Sequence, residues 1–138
     1  MILSKRRRAR ELAIQVFYSW QISKNESILE TINYVIKENK KYVLDTAYLN
    51  DVVSGVISNV NRLDKIIYSH LSKKIQRIDY IEKAILRLSS YEIIKRKDIP
   101  YKVIINEGIE LAKTFGSQTS HKFINSILDK IVLEKNLV

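Results

Sequence analysis

Apolar side chains recur every three to four residues along most of this chain, a spacing that predicts a series of amphipathic helices. On the first helix the apolar stripe consists of Ala9, Ala13, Val16, Phe17 and Trp20. The opposite face carries Arg7, Arg8, Glu11, Gln15 and Tyr18. Arg10 falls on the border between the two faces. Arg6 would point toward the core if it were helical, so we place it in a fraying first turn.

Two further helices are predicted in the first half of the chain. The weaker one runs from about Ser27 to Lys37, with Ser27 as a plausible cap at its amino end. The other runs from about Tyr48 to His70 and keeps one apolar face throughout, so it is expected to be the central helix. Its β-branched residues are outweighed by helical spacing held over many turns.

Three more helices are predicted in the second half. Asp79, followed three residues later by Glu82, is typical of a capping box that opens a helix. Pro100 fits the first position of the next helix, and Gly116 is expected to end that helix in a left-handed conformation. The last helix should begin at Ser117 or Ser120. Six helices and no linker long enough to divide them predict an all-α fold.

The amino-acid composition supports this fold class and excludes several classes of functional site. Three glycines and one proline are too few for the turns of a sandwich or barrel. The absence of cysteine excludes disulfides, thiolate metal sites and thiol nucleophiles. No secretory signal and no apolar run of membrane-spanning length is found, so we expect a soluble, cytoplasmic protein. The net charge of +9 favours a polyanionic partner.

The positive charge is most concentrated at the start of the chain. Lys5, Arg6, Arg7, Arg8 and Arg10 lead directly into the first helix, whose polar face adds Gln15 and Tyr18. Arginine binds phosphates and a tyrosine ring stacks on bases, so we favour a surface for single-stranded RNA or DNA over one for duplex. A solvated terminus is the simpler alternative, and binding to a membrane surface is a weaker one. Phe123, beside Lys122, is predicted to pack in the core, although it would serve equally well as a stacking site.

The remaining polar residues do not assemble a reaction centre. Glu92 and Glu107 project near apolar stripes, where a buried carboxylate pair could act in acid–base chemistry. A structural ion pair with a basic residue such as Arg87 is the favoured interpretation, because no nucleophile or histidine completes a site. His70 and His121 lack a second ligand at metal spacing. We therefore predict no enzyme activity, no cofactor and no metal.

Much of the chain resembles the family of the bacterial transcription antitermination factor NusB. The segments that carry the resemblance are RRRARE at 6–11, YSWQ at 18–21, EKAILR at 82–87, YE at 91–92, PYKVIINE at 100–107, ELAK at 110–113, FG at 115–116 and SHKF at 120–123. The resemblance implies one all-helical domain over residues 1–138, built from two packed helical subdomains at roughly 1–75 and 76–138, without catalytic activity. Two positions depart from the family's pattern: His70 stands where a tyrosine is expected and Thr119 where an acidic residue is common.

The resemblance also implies partners and contacts. The family binds boxA RNA, usually as a heterodimer with NusE, a small-subunit ribosomal protein, in a complex on RNA polymerase that promotes ribosomal RNA transcription. Carried onto this chain, RNA would contact Arg6, Arg7, Arg8, Arg10, Gln15, Tyr18, Lys122 and Phe123. Glu82 and the turn around Thr119 would lie near the NusE contact and the RNA. When free, the protein could bury its basic face in a homodimer.

Two other classes of function stay open at this point. Related helical domains are fused to RNA-modifying methyltransferases, where they present substrate, and this chain would have to do so in trans. The other alternative is a helical protein-interaction domain whose basic end is incidental.

Overall fold

In the computed structural model of the chain, residues 2–23, 27–72 and 78–135 are described, with side chains from residue 5 onward. Within these ranges the fold consists of seven helices and no strands. They are α1 (Ile2–Ile22), α2 (Ile28–Glu38), α3 (Thr46–Ser58), α4 (Val60–Ser69), α5 (Tyr80–Lys95), α6 (Tyr101–Phe115) and α7 (Ser120–Glu134). The predicted all-α class is confirmed. None of the described helices is both long enough and apolar enough to cross a membrane.

Two predicted helix starts are confirmed by their caps. The Ser27 hydroxyl accepts a hydrogen bond from the Glu30 backbone N–H at the start of α2. At α5 the Asp79 carboxylate accepts from the Glu82 N–H at 2.7 Å, and the Glu82 carboxylate accepts from the Asp79 N–H at 3.3 Å. Both bonds of the capping box are therefore made, which fixes the backbone at the start of α5.

The predicted single helix from Tyr48 to His70 is wrong in one respect, because Asn59 divides it into α3 and α4. The Asn59 side-chain amide donates to the Gly55 carbonyl oxygen at 2.7 Å, and the Asn59 backbone N–H donates to the same oxygen at 3.1 Å. An asparagine side chain that bonds to the backbone in this way competes with the helical ladder. The apolar stripe continues across the break, since Val56 and Leu63 are both buried.

The centre of the fold is α5, rather than the α3–α4 segment expected from the sequence. α5 packs against α1, α3, α4, α6 and α7, and every residue from Ala84 to Ile93 is buried. Gly55 of α3 leaves room for the Tyr91 ring of α5, because a Cβ at Gly55 would overlap that ring. Since α5 contacts helices on both sides of residue 75, the division into two subdomains stays a prediction.

The ends of α6 differ from their predicted form. Pro100 lies one residue before the helix, as its N-cap, instead of at the first helical position. Gly116 has φ −91° and ψ −176°, which is extended and not left-handed. The reason for glycine is close approach, because a Cβ at Gly116 would lie 2.8 Å from both the Ala112 carbonyl oxygen and the Ser120 Cβ. Of the two predicted starts for the last helix, Ser120 is the observed one.

Candidate nucleic-acid interface

The exposed side of α1 carries basic, amide and aromatic groups together. With about 100° of rotation per residue, Arg7, Arg8, Gln15 and Tyr18 fall within about 100° of one another, and Lys5 lies next to Arg8 at the edge. The side chains of Arg7 and Arg8 are 46% and 40% exposed, and Tyr18 is 40% exposed. We call the surface formed by Lys5, Arg7, Arg8, Gln15 and Tyr18 the basic face.

Two arginines of the basic face have their side chains held by contacts with neighbouring residues. Arg7 donates from Nε and Nη2 to the Glu107 carboxylate of α6, with the shortest distance 2.9 Å, so its Nη1 donors are not part of this pair. Hydrogen bonding to Glu107 raises the pKa of Arg7. Arg8 contacts Glu11 at 3.4 Å and lies over the Tyr42 ring at 4.2 Å. Such support restricts the two guanidinium groups, while both side chains stay partly exposed.

Arg10 does not belong to this surface, because the residue is only 1% exposed, and its contact with RNA stays a prediction. It donates to both oxygens of Glu92 at 3.2 and 3.0 Å and to Glu107 at 3.3 Å. Burial alone lowers the pKa of Arg10, but hydrogen bonding and attraction to Glu92 outweigh burial and raise it. Arg7, Glu107, Arg10 and Glu92 thus form an ion network that joins α1, α5 and α6 and is buried except for Arg7.

The interpretation of Glu92 and Glu107 as structural ion-paired residues agrees with their placement, since they are 1% and 3% exposed. Their partners are arginines of α1 and not Arg87, which was the example predicted from sequence. Arg87 instead pairs with Asp64 of α4 at 2.7 and 2.8 Å and donates to Gln21 at 2.6 Å.

Arg6 also differs from its predicted position in a fraying turn. It lies within α1, with a side chain 30% exposed, 3.7 Å from the Asp45 carboxylate and 4.9 Å from the centre of the Tyr48 ring. Arg10 and Arg96 approach the same ring at 5.1 and 5.5 Å. Burial raises the pKa of Tyr48, so the ring stays neutral and its π-system faces the three cations. Arg6 therefore lies beside the basic face, and part of its side chain contacts the Tyr48 ring.

The Tyr18 ring contacts a second exposed tyrosine. Its ring packs edge-to-face with that of Tyr80, with centroids 6.3 Å apart and planes at 79°. Tyr80 is the first residue of α5 and is 48% exposed. Tyr80 was not among the residues predicted from the sequence. The available signal was a tyrosine off the apolar stripe of its helix, directly after a capping residue.

The start of α7 is tied to the start of α5. The Ser120 hydroxyl donates to the Glu82 carboxylate at 3.0 Å and accepts from the Ser117 backbone N–H at 3.1 Å. Thr119 is exposed and precedes Ser120 as the N-cap of α7. The structure thus brings together Glu82 and Thr119, the two residues predicted near a partner protein. On the first turn of α7, Lys122 is exposed, whereas Phe123 is half-buried and packed against the core.

The histidines have separate surroundings. His70 contacts the Glu134 carboxylate through Nε2 at 2.7 Å, and this contact lowers the pKa of Glu134. His121 lies in the first turn of α7 and is half-buried. Within residues 5–23, 27–72 and 78–135, no group of three or more histidine, aspartate or glutamate side chains is arranged to hold a metal ion.

Comparisons with known proteins agree with the sequence resemblance. The family model described as "NusB family" matches residues 7–133. A curated relative, the transcription antitermination protein NusB of Buchnera aphidicola subsp. Cinara cedri (strain Cc), is 69% identical over 133 residues, which cover 96% of this chain and 94% of that protein.

Solved structures share the fold over nearly the whole length. NusB of T. maritima superposes with a TM-score of 0.82 at 30% identity, covering 95% of this chain and 94% of that one. A crystal structure described as antitermination factors NusB and NusE in complex with double-stranded RNA also gives 0.82, at 28% identity over 93% of this chain and 96% of that one.

Proposed function

The chain belongs to the NusB family, and from this premise we propose that it is an antitermination factor that binds boxA-type single-stranded RNA together with NusE. The complex would act on RNA polymerase and promote transcription of ribosomal RNA. In this proposal the protein presents RNA and catalyses no reaction.

The observation that carries the proposal is the basic face. Its exposed guanidinium groups can neutralise phosphates, and Tyr18 offers a ring on which a base can stack. Gln15 is exposed between them and has both a donor and an acceptor for a base edge. Phosphate binding, stacking and hydrogen bonding are therefore available on one side of one helix.

The proposed contact with NusE is supported by a different part of the molecule. Glu82 and Thr119 lie together where α5 and α7 begin, joined through Ser120. One of the structural relatives is described with NusE and RNA bound together. We infer that a partner protein at this junction would extend the RNA surface toward Lys122 and Phe123.

A binding titration with labelled RNA tests this function. We expect a boxA-type single strand to bind more tightly than a scrambled strand of equal length, and to bind more tightly still when NusE is added. The logarithm of the association constant should fall with the logarithm of salt concentration by about 0.7 per phosphate neutralised. Salt-independent binding, or equal affinity for the scrambled strand, would contradict the proposal.

Four further measurements separate the alternatives. Because a relative is described with double-stranded RNA, a duplex of the same sequence is included, and duplex binding as tight as that of the single strand would contradict single-strand recognition. Binding of NusE without any effect on RNA would favour the interaction domain, and methyl transfer to RNA by this chain alone would overturn the non-enzymatic role. Weaker RNA binding at higher protein concentration would reveal competition from a homodimer.

A further inference from the structure

Tyr80 is an exposed aromatic residue with no role in the fold's caps or ion pairs described above. It is 48% exposed, and its ring meets the Tyr18 ring edge-to-face at 6.3 Å. In such an arrangement the edge of one ring covers one face of the other, so the pair itself covers one of its four ring faces and each ring keeps a face for a ligand.

The backbone that carries Tyr80 is firmly fixed. The capping box between Asp79 and Glu82 encloses it, and Glu82 is in turn bonded to Ser120 of α7. Tyr80 therefore stands between the basic face of α1 and the start of α7. A side chain on a fixed backbone loses less conformational freedom on binding a ligand than one on a mobile segment.

The charges around Tyr80 suit a base better than a phosphate. The two carboxylates nearest to Tyr80 along the sequence, those of Asp79 and Glu82, accept hydrogen bonds from the protein itself, and a carboxylate beside the ring would repel a phosphate placed directly over it. One turn further along α5, the Lys83 ammonium lies 5.6 Å from the centre of the Tyr68 ring and can attract the strand's backbone. A flat, uncharged base fits the ring itself.

We propose that Tyr80 and Tyr18 form a two-ring platform on which two unpaired bases of the bound RNA stack. The platform rests on the proposed function, and it adds a binding residue and a shape requirement to it. Because the ring planes are 79° apart, bases stacked on the two rings cannot remain parallel to each other. The strand must therefore turn sharply at this point, which a single strand can do and a continuous duplex cannot.

The test compares Tyr80→Leu with Tyr80→Phe by titration of a labelled boxA-type single strand. Leucine keeps an apolar side chain and a good helix former but has no π-face, so we expect affinity to fall by about fivefold or more. Phenylalanine keeps the ring, so affinity should stay within about twofold of the parent protein. Leu133→Ala removes an exposed apolar side chain at the end of α7 and is the surface control, which should leave affinity unchanged. Circular dichroism checks that all three variants keep the parent helicity.

The possible outcomes distinguish a failure of the two-ring platform from a failure of the proposed function. If the parent protein binds RNA but Tyr80→Leu binds it equally well, the platform is wrong and the proposed function stands. If the parent protein does not bind single-stranded RNA, both are wrong. If Tyr80→Leu weakens the binding of NusE and not the binding of RNA alone, this ring belongs to a protein interface and the platform is again overturned.

Discussion

Replacing Arg10 by alanine is expected to lower the free energy of unfolding by about 3–5 kcal/mol, because it leaves buried carboxylate charge without its partner. Glu92 is 1% exposed and both of its oxygens accept from Arg10. A loss of this size is a large fraction of the stability of an ordinary domain. Urea denaturation followed by circular dichroism measures it.

Arg7→Ala is the matched control for this prediction. Arg7 is half-exposed, and Glu107 keeps its bond from Arg10 when Arg7 is removed. We therefore expect a loss of about 1 kcal/mol or less. If the alanine variant of Arg10 does not fold, Arg10→Lys keeps the charge without the two-bond geometry and should show an intermediate loss. Equal losses of unfolding free energy for Arg7→Ala and Arg10→Ala would contradict the expectation that the buried arginine contributes more to stability than the exposed one.

The double substitution Lys5→Gln and Arg8→Gln should reduce RNA affinity without affecting the fold. Both side chains are exposed or half-exposed, and neither holds a buried carboxylate. If each neutralises one phosphate, the salt dependence predicts about a fivefold loss per residue at 0.1 M salt, and about 25-fold for the pair. The slope of the salt plot should also fall by about 1.4.

Loss of net charge alone must be separated from loss of a specific surface. Lys37→Gln with Lys130→Gln removes the same charge from exposed positions on α2 and α7. This control should weaken RNA binding far less than the pair on α1. Equal weakening by both double variants would mean that RNA is attracted by overall charge and not by the basic face.

The parts of the fold that were predicted from sequence are those set by local chemistry. The capping box at Asp79 and the serine cap of α2 depend on residues within one turn, so spacing alone identified them. The break at Asn59 was missed because the apolar stripe runs through it unchanged. Gly116 was misread because its close neighbour, Ser120, belongs to the following helix.

The sequence predicted which types of residue the site contains. It did not predict which of them are buried and which lie beside each other in space. Helical rotation placed Arg7, Arg8 and Tyr18 on one face, as the structure has them. It left Arg10 on the border, and only the carboxylates supplied by α5 and α6 draw that side chain inward. Tyr80 lies 62 positions from Tyr18 in the chain, so no local pattern could have paired the two rings.

RNA is proposed to lie on the basic face of α1. Mapping backbone amide chemical shifts while unlabelled boxA-type RNA is added to isotope-labelled protein tests it most directly. We expect the largest shifts on α1 from Lys5 to Tyr18, around Tyr80, and at the start of α7. Shifts concentrated instead on the outer surface of α2 or at the end of α7, with the basic face unchanged, would contradict it.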